Sequence, residues 1–213
     1  MPLILTLLYI IFTFRVEQQI SQDKAEANNL IKKLRDGGAL IVRLKSRTKA
    51  VNAYRQAGKL EVAERILQDD AKLNKKIVDA FADGFRFCPV YFMYSNQTMQ
   101  LLKGEKVIFL NHKLVPDSTI QFNHSFYLFV DFGTAVVNES AGDYNYSADY
   151  TKEGTTPGSS ESYVILDKDL RQLRSPFPYK VHLNPFDKNP HLKAIERLNK
   201  KLFVFYQSIK NKK

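Results

Sequence analysis

The chain has 213 residues, 44% hydrophobic and 12% aromatic, with a formal net charge of +10 at pH 7. That length and composition suffice for a buried core, which excludes a wholly disordered or fibrous chain and places it among ordinary globular proteins. Its one cysteine, Cys88, excludes an intramolecular disulfide, so stability outside a reducing compartment has to come from packing.

The chain opens on an apolar run, Pro2 to Phe14 (PLILTLLYIIFTF), and turns polar at Arg15-Val16-Glu17. As a helix this run rises only about 20 Å, short of the roughly 30 Å hydrocarbon layer, so a secretory leader fits better than a stable span. Ser21 is the small residue available for cleavage before Gln22, although no Lys or Arg precedes the run and no A-x-A-like site follows it. The expected organisation is a signal peptide at 1–21, then one globular α/β domain at 22–213, in the periplasm or secreted. An N-terminal membrane anchor, or a buried first strand in a cytosolic protein, is the alternative.

Asp23 to Asp36 carries Ala27, Leu30, Ile31 and Leu34 at helical spacing, and Gly37-Gly38 should end that helix. Ala39 to Leu44 (ALIVRL) reads as a central buried strand. A second helix follows Lys45-Ser46-Arg47-Thr48 and stops at Gly58. A third, from Leu60 to about Phe81, should bury Leu60, Ala63, Ile66, Leu67, Leu73, Ile77, Val78 and Phe81, with Gly84 closing it. Ala53 to Ile66 resembles one turn of a tetratricopeptide repeat through Tyr54, Gly58 and Ala63. No second copy follows at the period of about 34 that an array needs, so a single helical hairpin is expected.

Five runs rich in aromatic and β-branched residues read as strands: Phe85 to Tyr94, Lys106 to Leu110, Thr119 to Phe122, Ser125 to Phe132 and Ser162 to Leu166. A short helix, Thr98 to Lys103, connects the first two. Early strands separated by helices imply parallel crossovers, and later strands without helices imply antiparallel additions. The expected fold is α/β, or α+β, with a mixed, partly parallel sheet flanked by helices. Residues 138–161, rich in Gly, Ser, Thr, Asp and Tyr, read as a long mobile loop whose Tyr144, Tyr146 and Tyr150 suit a binding surface. Asn189-Pro190 opens a last helix with the apolar stripe Leu192, Ile195, Leu198, Leu202, Phe205 and Ile209.

The charge is uneven. Gln22 to Leu60 holds ten Lys/Arg against three acids, Lys188 to Lys213 eight against one, and Asp131 to Ser162 six acids against Lys152 alone. The basic residues fall mostly on polar helix faces, so a solvated surface is the expected reading and nucleic acid is not the expected partner, with lipid headgroups or an acidic glycan as the alternative. The C-terminal basic helix is a candidate for peripheral membrane contact.

No phosphate-binding Gly loop, nucleophile elbow, H-E-x-x-H or C-x-x-C occurs. The four histidines, at 112, 124, 182 and 191, lack metal-ligand spacing, and neither metal nor cofactor is expected. Arg86 and Cys88 should share one strand face, which weakly favours a thiolate, but a buried inert cysteine is the better reading. The strand ends argue most strongly for a site. If the strands at 39–44 and 85–94 are parallel neighbours, Lys45, Ser46, Arg47 and Thr48 emerge beside Ser95 and Asn96, with Asp131 ending a further strand. Open α/β sheets bind ligands at that edge, and helix N-termini there suit an anion, although Ser, Thr and Asn also serve as plain caps.

KKLRDGGALIVRLKSRTKAVNAYRQAGK (Lys32–Lys59), followed by FRFCPVYFMYS (Phe85–Ser95), resembles an uncharacterised family of exported proteins of Bacteroidota-type bacteria, over most of the chain. The resemblance implies export in a diderm bacterium and no particular activity. The expected function is non-catalytic binding of an envelope component or a small anionic ligand. An enzyme acting on an anionic substrate at the strand-end edge is the alternative.

Overall fold

The computed structural model describes the backbone of residues 2–134 and 161–211, with side chains from Gln18 onward except at 20 and 134. The elements in chain order are α1 (Pro2–Arg35), β1 (Ala39–Leu44), α2 (Thr48–Gln56), α3 (Leu60–Gly84), β2 (Val90–Tyr94), α4 (Thr98–Leu102), β3 (Tyr127–Thr134), β4 (Glu161–Leu166), β5 (Lys180–His182) and α5 (Pro190–Lys210). Much of the expected loop 138–161 therefore lies outside the described residues.

The strands form one sheet in the order β2-β1-β3-β4-β5, with β1 parallel to β2 and β3, and β4 antiparallel to β3 and β5. The chain leaves β1 for β2 on one side and returns past β1 to reach β3 on the other. Two crossovers of the same hand in opposite directions must cover opposite faces of the sheet. Accordingly Leu40, Val42, Leu44, Leu128, Val130, Tyr163 and Ile165 pack with Ile31, Leu34, Ile77, Phe81, Ile195 and Leu198 of α1, α3 and α5. Ile41, Met93, Phe129, Val164 and Leu166 pack on the other face, under Leu101 and Leu102 of α4 and Val107, Ile120 and Phe122 of the segment that follows.

The turn from α1 into β1 needs both its glycines. Gly37 has φ +134°, a region side chains avoid. A Cβ on Gly38 would lie 2.7 Å from the Lys33 carbonyl oxygen and 2.8 Å from Phe126 Cδ1. The close approach lets α1 turn directly into β1, an interior strand of the sheet.

Several expectations need correction. The helix ending at Gly37-Gly38 begins at Pro2 rather than near Asp23. The expected strand 85–94 starts only at Val90, because Phe85 to Pro89 form the entry loop that places Phe85 and Phe87 in the core, so Arg86 and Cys88 share no strand face. Lys106 to Leu110 reaches the sheet only through Leu110, whose N–H donates to the Phe92 carbonyl at 2.8 Å, since the chain reverses at once around Asn111. Thr119 to Phe122 forms no strand, because Asp117 Oδ1 accepts from the Thr119 N–H and hydroxyl and holds a turn there. Leu60 and Leu67 are exposed, because α2 is too short to cover the first half of α3. Strand β5 carries too few apolar residues for an alternation signal, and its pairing with β4 defines it. Asn189 precedes α5 but makes no side-chain cap hydrogen bond.

Among the described residues, no helix is long and apolar enough to cross a membrane.

Candidate functional site

The pairing of Leu44 with Tyr94 across β1 and β2 makes Lys45 and Ser95 leave the sheet side by side at its carboxyl edge. On the other side of β1, Val42 pairs with Val130, which puts Arg43 next to Asp131 on the face covered by α4. Arg43 Nε donates to Asp131 Oδ1 at 2.6 Å, a second bond joins Arg43 Nη2 to Oδ2, and Nη1 reaches Thr98 Oγ1 at 3.4 Å. The Thr98 hydroxyl in turn donates to the Ser95 carbonyl at 2.7 Å, tying the start of α4 to the end of β2. Asp131 is fully buried.

The segment after β1 is folded back onto α3 by two buried polar residues. Asn74 Nδ2 donates to the Lys45 carbonyl at 2.8 Å, and Asn74 Oδ1 accepts from the Lys45 N–H at 2.9 Å. Asp70 accepts from Arg47 Nε at 2.9 Å and from the Arg47 N–H at 3.2 Å. Ser46 and Thr48 hydroxyls lie 2.8 Å apart and bond to each other, and no side chain caps α2. The carboxyl edge therefore brings together Lys45, Ser95 and, one layer down, Asp131. Arg47 turns towards α3, and Asn96 is exposed on the short helical turn before α4. Burial, then the neighbouring Arg47 charge, lower the Lys45 pKa, while Asp70, Glu161 and Asp69 oppose them.

Sequence reading missed Arg43, Ser162 and His182 as members of this edge. Arg43 had a visible signal, being the lone charge in ALIVRL. Ser162 and His182 face each other across β4 and β5, with Ser162 Oγ 2.9 Å from His182 Nδ1. Burial, then Lys180 and Lys201, hold the His182 pKa below its ordinary value. By alternation Ser162 shares the face of Val164, which pairs with Asp131. The ladder ends with Thr134 opposite Glu161, so the connection at 135–160 is rooted on the same carboxyl edge as Lys45 and Ser95.

The other histidines serve packing. His191 Nδ1 lies 2.7 Å from the buried Tyr163 hydroxyl, and His124 bridges the Tyr91 hydroxyl at 3.0 Å and the Gly37 carbonyl at 2.8 Å. Burial pushes the Cys88 thiol up to about 12, against the weaker opposite pulls of a hydrogen bond with the Leu40 backbone and of the Arg35 charge. Among the described residues, no three or more His, Cys, Asp or Glu side chains converge as metal ligands would.

These features define an α/β protein with a mixed five-stranded sheet and a polar carboxyl edge. Comparison with protein-family models, with curated proteins and with solved structures finds no match.

Proposed function

We propose that this chain is an exported envelope protein that binds an anionic ligand, without catalysis, at the carboxyl edge of β2, β1 and β3. One observation carries the reading: the parallel strand ends at Leu44 and Tyr94 and both roots of the 135–160 connection, Thr134 and Glu161, lie on a single edge. The carboxyl edge of an open sheet is a usual place to build a recognition surface. Arg43 and Arg47 are answered by Asp131 and Asp70, which makes the edge a fixed polar platform. Lys45, half-buried where β1 ends, adds a further cationic side chain to that edge.

Calorimetric titration with inorganic pyrophosphate and with polygalacturonate tests the binding. The wild-type chain is expected to take up at least one probe, and Lys45→Glu to weaken it tenfold or more while melting as the wild type does. Uptake of neither, or uptake indifferent to the substitution, overturns the reading. Export is tested by fractionating the native host and sequencing the N-terminus. A start near Gln22 in an envelope fraction supports it, and an intact Met1 in the cytosol refutes it.

A catalytic reading at the same edge rests on Ser162 and His182, whose depressed pKa keeps the imidazole neutral and able to accept a proton. Ser162 is fully buried, which ranks this second. A fluorophosphonate probe labelling wild type but not Ser162→Ala would raise it to first.

A further inference from the structure

Helix α5 turns one face to the core through His191, Ala194, Ile195, Leu198 and Leu202. A different stripe, Arg197, Lys201, Val204 and Ser208, recurs at three- and four-residue spacing and faces outward. With Pro178 and Phe205 it forms a shallow groove of about 430 Å³, floored by apolar carbons and rimmed by Arg197, Lys200 and Lys201. Val204 is 55% exposed, and Phe186, in the turn held to α5 by the Arg197–Asp187 ion pair, is 94% exposed.

The acids near this surface are already engaged, Asp187 by Arg197 and Glu196 by Lys193. Among the described residues no carboxylate lies within ion-pair range of Lys200 or Lys201. Protruding apolar side chains set among lysines on long flexible stems match a headgroup layer, where each apolar group dips towards the acyl boundary and each ammonium meets a phosphate. Nucleic acid fits less well, because Phe205 is partly buried against Phe177, which leaves Phe186 as the strongly exposed ring of this surface among the described residues, whereas a strand is tracked by successive stacking rings.

We propose that this face of α5, with Phe186, is a docking surface for an anionic lipid membrane. It is separate from the carboxyl-edge site and stands or falls apart from it. The full chain is tested by co-sedimentation with vesicles of phosphatidylcholine alone and with vesicles containing about 30% phosphatidylglycerol, so that the difference isolates the charge-dependent part from any uptake by the N-terminal apolar segment. Wild type is expected to bind the anionic vesicles more strongly and to release as NaCl rises. K200E/K201E should lower that binding about tenfold or more, given the attraction each basic residue contributes near an anionic surface. Val204→Asp should lower it too, with both variants melting as wild type. Equal binding to both vesicle types, or binding unchanged in both variants, overturns the proposal. Retention on double-stranded DNA without preference for anionic vesicles overturns it as well.

Discussion

Arg43 and Asp131 meet between two parallel strands, with Nε 2.6 Å from Oδ1, and Asp131 has no solvent exposure. An ion pair there is costly to desolvate and is held by good geometry and by the reach of Arg43 to Thr98. Because Thr98 begins α4 and bonds the end of β2, the pair links three of the elements that form the carboxyl edge.

Asp131→Leu leaves the arginine charge buried against an apolar neighbour, and the expected cost is roughly 3–5 kcal/mol. The double variant Arg43→Met/Asp131→Leu should recover most of that loss, since the buried charge goes as well. Urea unfolding of the four members of the cycle gives the coupling. Strictly additive losses would show that the two side chains act independently.

Asn74 holds Lys45 by both of its backbone groups. Asn74→Ala leaves that donor and acceptor without their partner, at a cost of about 1–3 kcal/mol. Hydrogen exchange should show the added loss of protection concentrated at Lys45 and the first turn of α2. A loss spread evenly over the sheet would count against a local clamp.

His191 and His182 both titrate below their ordinary value of 6.5, mainly through burial, aided by Lys76 in the first case and by Lys180 and Lys201 in the second. The unfolded chain therefore binds protons at these positions before the folded one does. Their contribution to stability is full above pH 6.5 and falls as pH drops below it towards the folded values. Melting temperatures between pH 5 and pH 7 should rise with pH, and His191→Gln should flatten part of that slope. A slope unaltered by the substitution would place its origin elsewhere.

With its thiol pushed from 9.0 up to about 12, Cys88 holds far less thiolate in the folded chain than in the unfolded one. The difference at pH 8 is about a thousandfold, so alkylation should be slow natively and rapid in urea. Iodoacetamide labelling at equal speed in both states would contradict the packing around Cys88.

Gly38→Ala forces a methyl against the Lys33 carbonyl and the Phe126 ring, and a loss of about 1–3 kcal/mol is expected from overpacking. Calorimetric melting measures it directly. An unchanged melting temperature would mean that the junction of α1 and β1 yields easily.

Sequence by itself determined what depends on local chemistry and period. Ala39–Leu44 is nearly all apolar and became an interior strand, flanked by β2 and β3, since only a strand buried on both faces tolerates such a run. The parallel pairing of 39–44 with the strand expected at 85–94, the antiparallel addition of 162–166 and the α2–α3 hairpin were legible as well, whereas the strand expected at 125–132 as an antiparallel addition runs parallel to β1. Of the expected site, the side-by-side exit of Lys45 and Ser95 followed from that parallel pairing.

Tertiary structure alone decided what depends on partners far apart in the chain. Asp70 and Asn74 sit among the polar positions of α3 in the sequence, yet they are buried because Lys45 and Arg47 fold back on them. Lys106 to Leu110 has a strand's composition, but the edge of β2 accepts only Leu110, so pairing rather than propensity settled its form. Ser162 meets His182 only through the register of β4 with β5, and Arg43 meets Asp131 only because β3 comes to lie beside β1. Periodicity reports how one segment divides between core and water. Which polar groups share a site is set by strand order and register, which arise from contacts between segments.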